Sequence, residues 1–278
     1  MQVRGETHGG TGMAAEDREI LTTLWEGKIP VQIELAAEDN ISFGRTDPLF
    51  LLIPRVSYLP LFADRIRKHF EKCLTSSVEE AGNASSSRSE DLWLESNTFR
   101  VPLKWHVPVG VLFDLFGQEK VPWELTARFS NFPSNVVMRF PSKEAVESVF
   151  LYTVKEAAAI KQMTAVMSKM QRQEHSQLWL GLINDRFDQF WSVNRQLMRR
   201  SEEDSAKPVP IRAHDTNGRT FQKLIPGHVT FGDALEALGI RDRDVIVQGI
   251  QVSYEIPLSW MGCNLSYPDN FIHVSIRN

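Results

Sequence analysis

The longest unbroken helical pattern in the chain runs over residues 142–170 and contains neither proline nor glycine. Ser142, which follows Pro141, is suited to cap the helix N-terminus, and helix-favouring residues dominate the positions after it. At about 100° per residue, one side of the helix collects a mostly apolar stripe: Val146, Val149, Phe150, Thr153, Ala157, Ile160, Thr164 and Met167. The pattern therefore predicts one long helix that packs on a core along this stripe.

Lys155 lies on the other side of this predicted helix, about 180° from the centre of the stripe. Its neighbours one turn away are small or apolar instead of charged: Leu151, Tyr152, Ala158 and Ala159. Two interpretations of Lys155 stay open at this point. A helix-favouring surface lysine among alanines is the common one. An uncrowded amine beside a surface that a second protein can cover is the functional one.

Before the long helix, the hydrophobic pattern alternates between the period of strands and that of helices. The predicted elements are strands over 29–35 and 49–56, a helix over 59–73, a short helix after Pro108, and a strand over 123–132. Pro54 places the second strand at a sheet edge or a bulge. Residues 75–90 carry Val78 as their one large apolar side chain, so we expect a flexible insertion there. Residues 1–17 are expected to form a disordered leader.

After the long helix, a second helix is predicted over 176–200, and a charged, proline-containing linker follows over 201–210. The last region holds short strands over 209–213, 220–225, 245–250 and 271–276 around a helix over 231–238. Pro102-Leu103-Lys104-Trp105 in the first region matches Pro257-Leu258-Ser259-Trp260 in the last. The shared order predicts an α+β fold with a duplicated strand-strand-helix-strand-strand unit, the β-grasp order, on either side of a helical pair.

The composition of the 278-residue chain, 42% hydrophobic and 24% charged, suits two or three small folded domains. A formal net charge of −4 provides no basic surface excess, so we expect no nucleic-acid partner. Cys73 and Cys263 cannot build a disulfide framework, and no secretory apolar segment opens the chain, which predicts a reduced intracellular protein. No run approaches the ~18 apolar residues of a membrane span.

Motifs of the common enzyme classes are missing from the sequence, which has no GxSxG, HExxH, CxxC, Walker A or GxGxxG pattern. A Cys263 nucleophile would need a base, and three histidines are candidates: His106, His175 and His273. The residues around both cysteines also fit purely structural positions, which is the commoner interpretation. We therefore expect no catalytic residue, metal or cofactor.

Charged clusters leave two further alternatives open. Asp185 and Asp188 lie close together on the predicted second helix. They are either paired carboxylates or, more commonly for such a spacing, members of an ion-pair network. The outer face of the predicted 59–73 helix carries four cations: Arg65, Arg67, Lys68 and Lys72. Such a basic face either contacts acidic lipid or an acidic partner, or is simply solvated.

Four segments carry a resemblance to a known family. They are Pro54–Leu59 (PRVSYL), Gln177–Leu182 (QLWLGL), Asn184–Trp191 (NDRFDQFW) and Leu265–Phe271 (LSYPDNF). In this order they closely resemble the autophagy protein 5 family, and the resemblance extends from about Arg18 to Ile276. It implies two ubiquitin-like β-grasp domains that flank a helix-rich domain. The predicted boundaries are 1–17 for the leader, 18–140 and 204–278 for the ubiquitin-like domains, and 141–203 for the helix-rich domain.

The resemblance also implies a function. Lys155, in VKEAAAIK, matches the lysine that forms an isopeptide bond with the C-terminal glycine of ubiquitin-like autophagy protein 12. The family binds the N-terminal helix of autophagy protein 16, contacts the conjugating enzymes of autophagy transiently, and acts ligase-like in transferring autophagy protein 8 to phosphatidylethanolamine. This implies a cytoplasmic protein that is recruited to the phagophore assembly site, with peripheral membrane contact. The alternative is a helix-binding adaptor without covalent modification, and a hidden Cys or Asp enzyme site ranks last.

Overall fold

A computed structural model describes residues 17–41, 46–74, 91–118, 120–198 and 207–277. The predicted leader and the predicted insertion over 75–90 lie outside the described residues, apart from Asp17. The helices are α1 Arg18–Glu26, α2 Ala63–Leu74, α3 Val109–Phe116, α4 Lys143–Ile160, α5 Thr164–Lys169, α6 Arg172–Ile183, α7 Phe187–Asn194, α8 Phe231–Ala237 and α9 Leu258–Asn264. The strands are β1 Lys28–Leu35, β2 Leu49–Pro54, β3 Trp93–Ser96, β4 Trp123–Arg128, β5 Pro208–Val209, β6 Ile211–Asp215, β7 Thr220–Gln222, β8 Ile225–Pro226, β9 Asp244–Ile246 and β10 Ile272–Arg277. Short 3-10 turns cover Ala37–Asp39, Leu59–Phe62 and Arg195–Leu197.

The first sheet has the strand order β2-β1-β4-β3. Strand β1 is antiparallel to β2 and parallel to β4, and its side chains alternate between a buried and an exposed face, as its sequence predicts. Helix α2 adds Ile66 and Phe70 to the core on the buried side. Pro54 ends β2, which lies at the edge of the sheet as predicted.

The second sheet repeats this arrangement with the order β7-β6-β10-β9, in which β6 is antiparallel to β7 and parallel to β10. Its helix α8 begins at the predicted cap, because the Thr230 hydroxyl accepts a hydrogen bond from the Asp233 backbone N–H at 3.1 Å. The predicted duplication of an α+β unit is therefore confirmed.

The tetrapeptide match that suggested the duplication joins positions that are not equivalent. Both prolines form an isolated bridge, Pro102 with Glu95 and Pro257 with Thr230, but only Pro257 is the N-cap of a helix, α9. The counterpart of Pro257 is Pro108, which is the N-cap of α3 with nearly the same backbone angles. The evidence for the duplication is therefore the shared strand order and not the tetrapeptide.

Both long helices predicted for the middle of the chain are wrong as single helices. The first is broken after α4, where Gln162 adopts a positive φ of 60°, and the second is broken after α6, where Asp185 adopts a φ of 54°. Neither break contains proline, and no glycine lies at the turning residue, so the sequence rules for helix ends did not find them. Gly181 allows the α6–α7 hairpin to close, since a Cβ there would lie 2.7 Å from the Phe190 nitrogen.

The helical region and the first sheet share one continuous core, while the second sheet has its own smaller core. A buried ion pair between the Arg55 guanidinium and the Asp114 carboxylate, at 2.6 Å, lies where the two ubiquitin-like regions meet. The Asp114 carboxylate also accepts a hydrogen bond from the Gly249 backbone N–H at 3.0 Å, and the Arg277 side chain donates to the Asp114 carbonyl at 2.8 Å. These polar contacts fix the second ubiquitin-like region against the first.

Candidate functional site

Lys155 lies on α4, whose two ends are defined by local hydrogen bonds. Ser142 is the N-cap as predicted, and its hydroxyl accepts a hydrogen bond from the Ala145 N–H at 3.4 Å. At the other end, Met163 N–H donates to the Ala158 carbonyl at 2.7 Å and Gln162 N–H donates to the Ala159 carbonyl at 3.0 Å. This pair of bonds, with Gln162 in the left-handed conformation, is a Schellman motif. It ends the helix one and a half turns after Lys155.

The buried face of α4 differs in part from the predicted stripe. The buried residues are Val146, Phe150, Val154, Ala157 and Ala158. Of the predicted stripe, Val149, Thr153 and Ile160 are half-buried and Thr164 is exposed. Lys155 is exposed and lies roughly 130° from the centre of the buried face instead of 180°. Of its predicted neighbours, Tyr152 and Ala159 are exposed, with Tyr152 at 69%, Leu151 is half-buried, and Ala158 is buried.

Contacts with both ubiquitin-like regions hold α4 in place. The Phe150 ring packs on Tyr58 of the first region and on Trp179 of α6, with centroid distances of 6.4 and 5.9 Å. One residue after Lys155, the Glu156 carboxylate pairs with Arg212 of the second region at 2.6 Å. Lys155 therefore projects from a helix that three parts of the molecule restrain.

Lys161, at the end of α4, is a buried lysine that the sequence did not reveal. Its side-chain nitrogen donates to the Leu197 carbonyl at 3.1 Å and to the Asn270 side-chain oxygen at 3.2 Å. The Asn270 amide in turn donates to the Asn194 side chain at 2.8 Å. This buried network connects the helical region to the second ubiquitin-like region. Lys161 lies about 120° around the helix from Lys155 and close to the centre of the buried face of α4, and the tertiary contacts show which groups cover it.

His175 lies in the first half of α6, and two effects act on its pKa. Burial lowers the pKa of His175 below its ordinary value, and the positive charge of Lys155 lowers it further. Its Nε2 atom is buried and has no hydrogen-bond partner in the described part of the chain. The sequence presented His175 only as a candidate base for Cys263.

Cys263 and its candidate bases do not form a nucleophilic site. Cys263 is 2% exposed on α9. Both ring nitrogens of His273 are occupied, Nδ1 with His214 and Nε2 with Asp269, each at 2.9 Å. His106 is exposed, and His175 lies on α6. A buried thiol, with both ring nitrogens of the candidate base His273 already hydrogen-bonded, fits a structural role.

Asp185 and Asp188 are not paired with each other. The Asp185 carboxylate binds Lys28 at 2.7 Å, and the Asp188 carboxylate binds Arg18 at 2.5 Å. Both cations belong to the segment that opens the first ubiquitin-like region. The ion-pair interpretation thus describes these residues, and the paired-carboxylate interpretation does not.

An open groove of about 940 Å³ lies between α1 and the α6–α7 hairpin. Trp25 and Phe187 line it, and both also border a smaller apolar cavity of about 30 Å³ that reaches Leu24, Trp191 and Met198. On the basic face of α2, Arg65, Lys68 and Lys72 are exposed, and Arg67 pairs with Asp64 at 3.2 Å.

Within the described ranges, no group of three or more His, Cys, Asp or Glu side chains could hold a metal ion. A search of the same residues finds no helix with the length and apolar character that crossing a membrane requires.

Comparisons with known proteins cover nearly the whole described chain. Three family models match: Autophagy protein ATG5, UblA domain, over residues 24–129; its alpha-helical bundle region over 143–200; and its UblB domain over 208–276. Autophagy protein 5 of Drosophila melanogaster is 36% identical over 275 residues, which is 94% of this chain and 98% of that protein. Autophagy-related protein 5 of Caenorhabditis elegans is 29% identical over 281 residues, which is 93% of this chain and 97% of that protein.

The crystal structure of Kluyveromyces marxianus Atg5 has the same fold, with a TM-score of 0.80 at 18% identity over 93% of this chain and 99% of that one. The predicted fold class, two ubiquitin-like domains that flank a helical region, is confirmed. The predicted boundaries 18–140, 141–203 and 204–278 stay a prediction. The matches also confirm the resemblance seen in the sequence: the chain belongs to the autophagy protein 5 family and has a role in autophagy.

Proposed function

We propose that this chain is a non-catalytic scaffold and covalent acceptor, conjugated through Lys155 to the C-terminal glycine of ubiquitin-like autophagy protein 12. The observation that carries the proposal is the setting of Lys155, an exposed amine on a restrained helix beside exposed Tyr152 and Ala159. Lys155 has no hydrogen bond or ion pair within the described residues, so its amine needs no rearrangement to react. The match of VKEAAAIK to the family's acceptor motif supports the same residue.

The reaction is an aminolysis in which this chain is the substrate. The Lys155 nitrogen attacks the thioester carbonyl carbon between autophagy protein 12 and a conjugating enzyme. The C–N bond forms, the C–S bond breaks, and the thiol of the enzyme is released. A lysine ammonium with an ordinary pKa near ~10.4 must lose a proton before it can attack. The conjugating enzyme supplies the activated carbonyl, so no cofactor or metal is required of this chain.

The same proposal includes a second partner, the N-terminal helix of autophagy protein 16. Amphipathic helices bind in grooves that offer apolar anchor sites. Trp25 and Phe187 line the groove between α1 and the α6–α7 hairpin among mostly polar side chains, and both also border the smaller apolar cavity, so this groove is our candidate for the site. The resulting complex acts ligase-like in joining autophagy protein 8 to phosphatidylethanolamine. Recruitment from the cytoplasm to the phagophore assembly site follows, where the exposed cations of α2 can contact acidic lipid.

The deciding experiment replaces Lys155 with arginine, which keeps the charge and helix propensity but does not form an isopeptide. Wild type, Lys155→Arg and Lys169→Arg are expressed in autophagy-competent cells and analysed by denaturing gel and peptide mass spectrometry. Lys169 is a matched control because it is an exposed lysine in the same helical region. We expect a covalent adduct with a branched peptide at Lys155 in wild type and Lys169→Arg, and complete loss of the adduct in Lys155→Arg.

Two results would contradict the proposal. A wild-type chain without any adduct would support the adaptor alternative, in which the groove binds a helix and no lysine is modified. An adduct that persists in Lys155→Arg would assign the acceptor to another lysine.

A further inference from the structure

Helices α4 and α6 run in opposite directions, and this brings His175 to the level of Lys155. At the end of α4, Lys161 donates to the Leu197 carbonyl at 3.1 Å. At the start of α6, the Glu174 carboxylate accepts a hydrogen bond from Gln196, the residue before Leu197, at 2.9 Å. The 3-10 turn that contains Gln196 and Leu197 therefore contacts the last turn of α4 and the first turn of α6. These two ends of the helices must lie side by side.

The contact between the Phe150 and Trp179 rings fixes the register of the two helices further along, with a centroid distance of 5.9 Å. Lys155 lies five residues after Phe150 on α4, and His175 lies four residues before Trp179 on α6. Along the helix axis, Lys155 lies about 7.5 Å from Phe150, and His175 lies about 6 Å from Trp179. Because the helices are antiparallel, both displacements run in the same direction. Glu174 and His175 therefore both lie within about 1.5 Å of the level of Lys155, and His175 is the nitrogen base of the two.

The imidazole of His175 is prepared to accept a proton. Its Nε2 atom is buried and has no partner in the described ranges, while the residue as a whole is half-buried. A reacting group would therefore use Nδ1. The charged groups that act on the ring are Lys155 from α4 and Glu174 from its own helix. Burial and the charge of Lys155 lower the pKa of His175, so the ring is neutral at pH 7.

We propose that His175 is the proton acceptor for Lys155 during isopeptide formation, a role that rests on the proposed acceptor function. The neutral Lys155 amine attacks the thioester and forms a tetrahedral adduct with a positively charged nitrogen. His175 Nδ1 takes one proton from that nitrogen, the C–S bond breaks, and the proton then passes to the departing thiolate. One thioester and one amine give one amide and one thiol, and His175 returns to its neutral form.

The acceptor chain would then contribute to its own modification through the environment of its lysine. A neutral base beside the amine becomes effective once the carbon–nitrogen bond has begun to form, because the nitrogen of the adduct is far more acidic than a lysine ammonium. General bases of this kind typically accelerate reactions by about 10²–10⁴-fold. A histidine with a purely structural role would leave the pH dependence of the conjugation rate unchanged.

The test is single-turnover transfer from a preformed thioester between autophagy protein 12 and its conjugating enzyme to the purified full chain. Wild type, His175→Gln and the control His228→Gln are compared between pH 5 and 8.5, and urea unfolding confirms that each is folded. His228 is an exposed histidine in the second ubiquitin-like region. We expect His175→Gln to react about 10²-fold more slowly than wild type at pH 7.5, the lower end of a general-base contribution, and His228→Gln to match wild type.

Titrations of the conjugating enzyme affect both rates equally, so they cancel when the wild-type rate is divided by the His175→Gln rate at each pH. This ratio should fall towards one as pH drops through the pKa of His175, measured by NMR on the wild-type chain. A ratio that is one throughout, or constant with pH, would overturn the role of His175. Loss of the adduct in Lys155→Arg would still leave the acceptor function standing, whereas a wild-type chain that never reacts would refute that function itself.

If His175→Gln does not fold, wild-type protein alone decides the question. The logarithm of the wild-type transfer rate is plotted against pH, and the pKa of His175 is measured by NMR. The slope of this plot must be one unit greater at pH values below that pKa than at pH values above it. An unchanged slope across that pKa would overturn the proposal.

Discussion

Lys155 and Lys161 lie six residues apart in the same short segment, VKEAAAIK, yet the fold uses them in opposite ways. Lys155 is exposed, whereas Lys161 is 3% exposed and its amine binds the Leu197 carbonyl and the Asn270 side chain. The difference arises from the helical phase of α4, because six residues turn the helix by about 240° and place Lys161 on its buried face and Lys155 on its exposed face. A lysine therefore becomes a reactive site or a structural one according to what the fold places over it.

The partners of Lys161 explain why burial is tolerated at that position. A buried ammonium is costly unless its hydrogen-bonding capacity is satisfied. Asn270 adopts a φ of 68°, which turns the chain between Tyr267 and β10 and aims its side chain at the helical region. The amine of Lys161 thus connects the helical region to the second ubiquitin-like region, while the amine of Lys155 stays available to a partner.

The largest expected effect comes from removing the buried lysine. Lys161→Ala should lower the free energy of unfolding by about 2–4 kcal/mol, because the Leu197 carbonyl and the Asn270 side chain lose a buried donor and a cavity forms. Urea unfolding followed by circular dichroism measures this change. Lys161→Met is the matched variant, since it fills most of the space but donates no hydrogen bond, and it should lose less than Lys161→Ala. Stabilities of both variants within 0.5 kcal/mol of wild type would remove the distinction between the two lysines.

A buried histidine and an exposed histidine should affect the pH dependence of stability differently. Complete burial, together with the charges of His273, Arg212 and Lys104, lowers the pKa of His214 in the folded chain. The unfolded chain, with a histidine pKa near ~6.5, then binds more protons than the folded chain below that pH. His214 should therefore make the free energy of unfolding fall as pH drops below ~6.5, by at most about 1.4 kcal/mol per pH unit.

That pH dependence is measured by urea unfolding between pH 5 and 8. His214→Gln should flatten the slope below pH ~6.5, whereas the exposed-site variant His228→Gln should retain it. Equal slopes for His214→Gln and wild type would show that burial of this histidine has no consequence for stability.

The smallest effect is expected at the exposed lysine. Lys155→Ala should change the free energy of unfolding by no more than about 0.5 kcal/mol, since alanine favours helices and Lys155 has no hydrogen bond or ion pair among the described residues. The same urea experiment, beside Lys161→Ala, provides the measurement. A loss at Lys155 as large as that at Lys161 would mean that Lys155 is a structural residue as well.

Much of the fold was predictable from local rules. The alternation in β1, the edge position of β2 at Pro54, and the Thr230 cap of α8 all follow from the identity and spacing of a few residues. The repeated strand order was also predictable, although Pro108, not Pro102, is the counterpart of Pro257. The exposure of Lys155 was predicted correctly, although Ala158 beside it is buried.

Other features had no local signal. The break at Gln162 occurs at a residue that usually continues a helix, whereas Asp185 is a poor helix former that adopts positive φ more readily than most residues. Val154 and Ala158 face the core because α4 is covered from two sides, which widens its buried face beyond a single stripe. His175 could be found only once the direction of α6 relative to α4 was known.

The sequence by itself determined most of the elements outside the middle of the chain, their duplicated order, the family and the candidate lysine, because periodicity, caps and motifs depend on residues that are neighbours in the chain. Only the tertiary structure decided which groups Lys161 contacts, that Asp185 and Asp188 bind Lys28 and Arg18, and that α6 brings His175 close to the level of Lys155. These outcomes depend on contacts between residues far apart in sequence. Charge pairing and the identity of contact partners are properties of such contacts, and periodicity along the chain does not specify them.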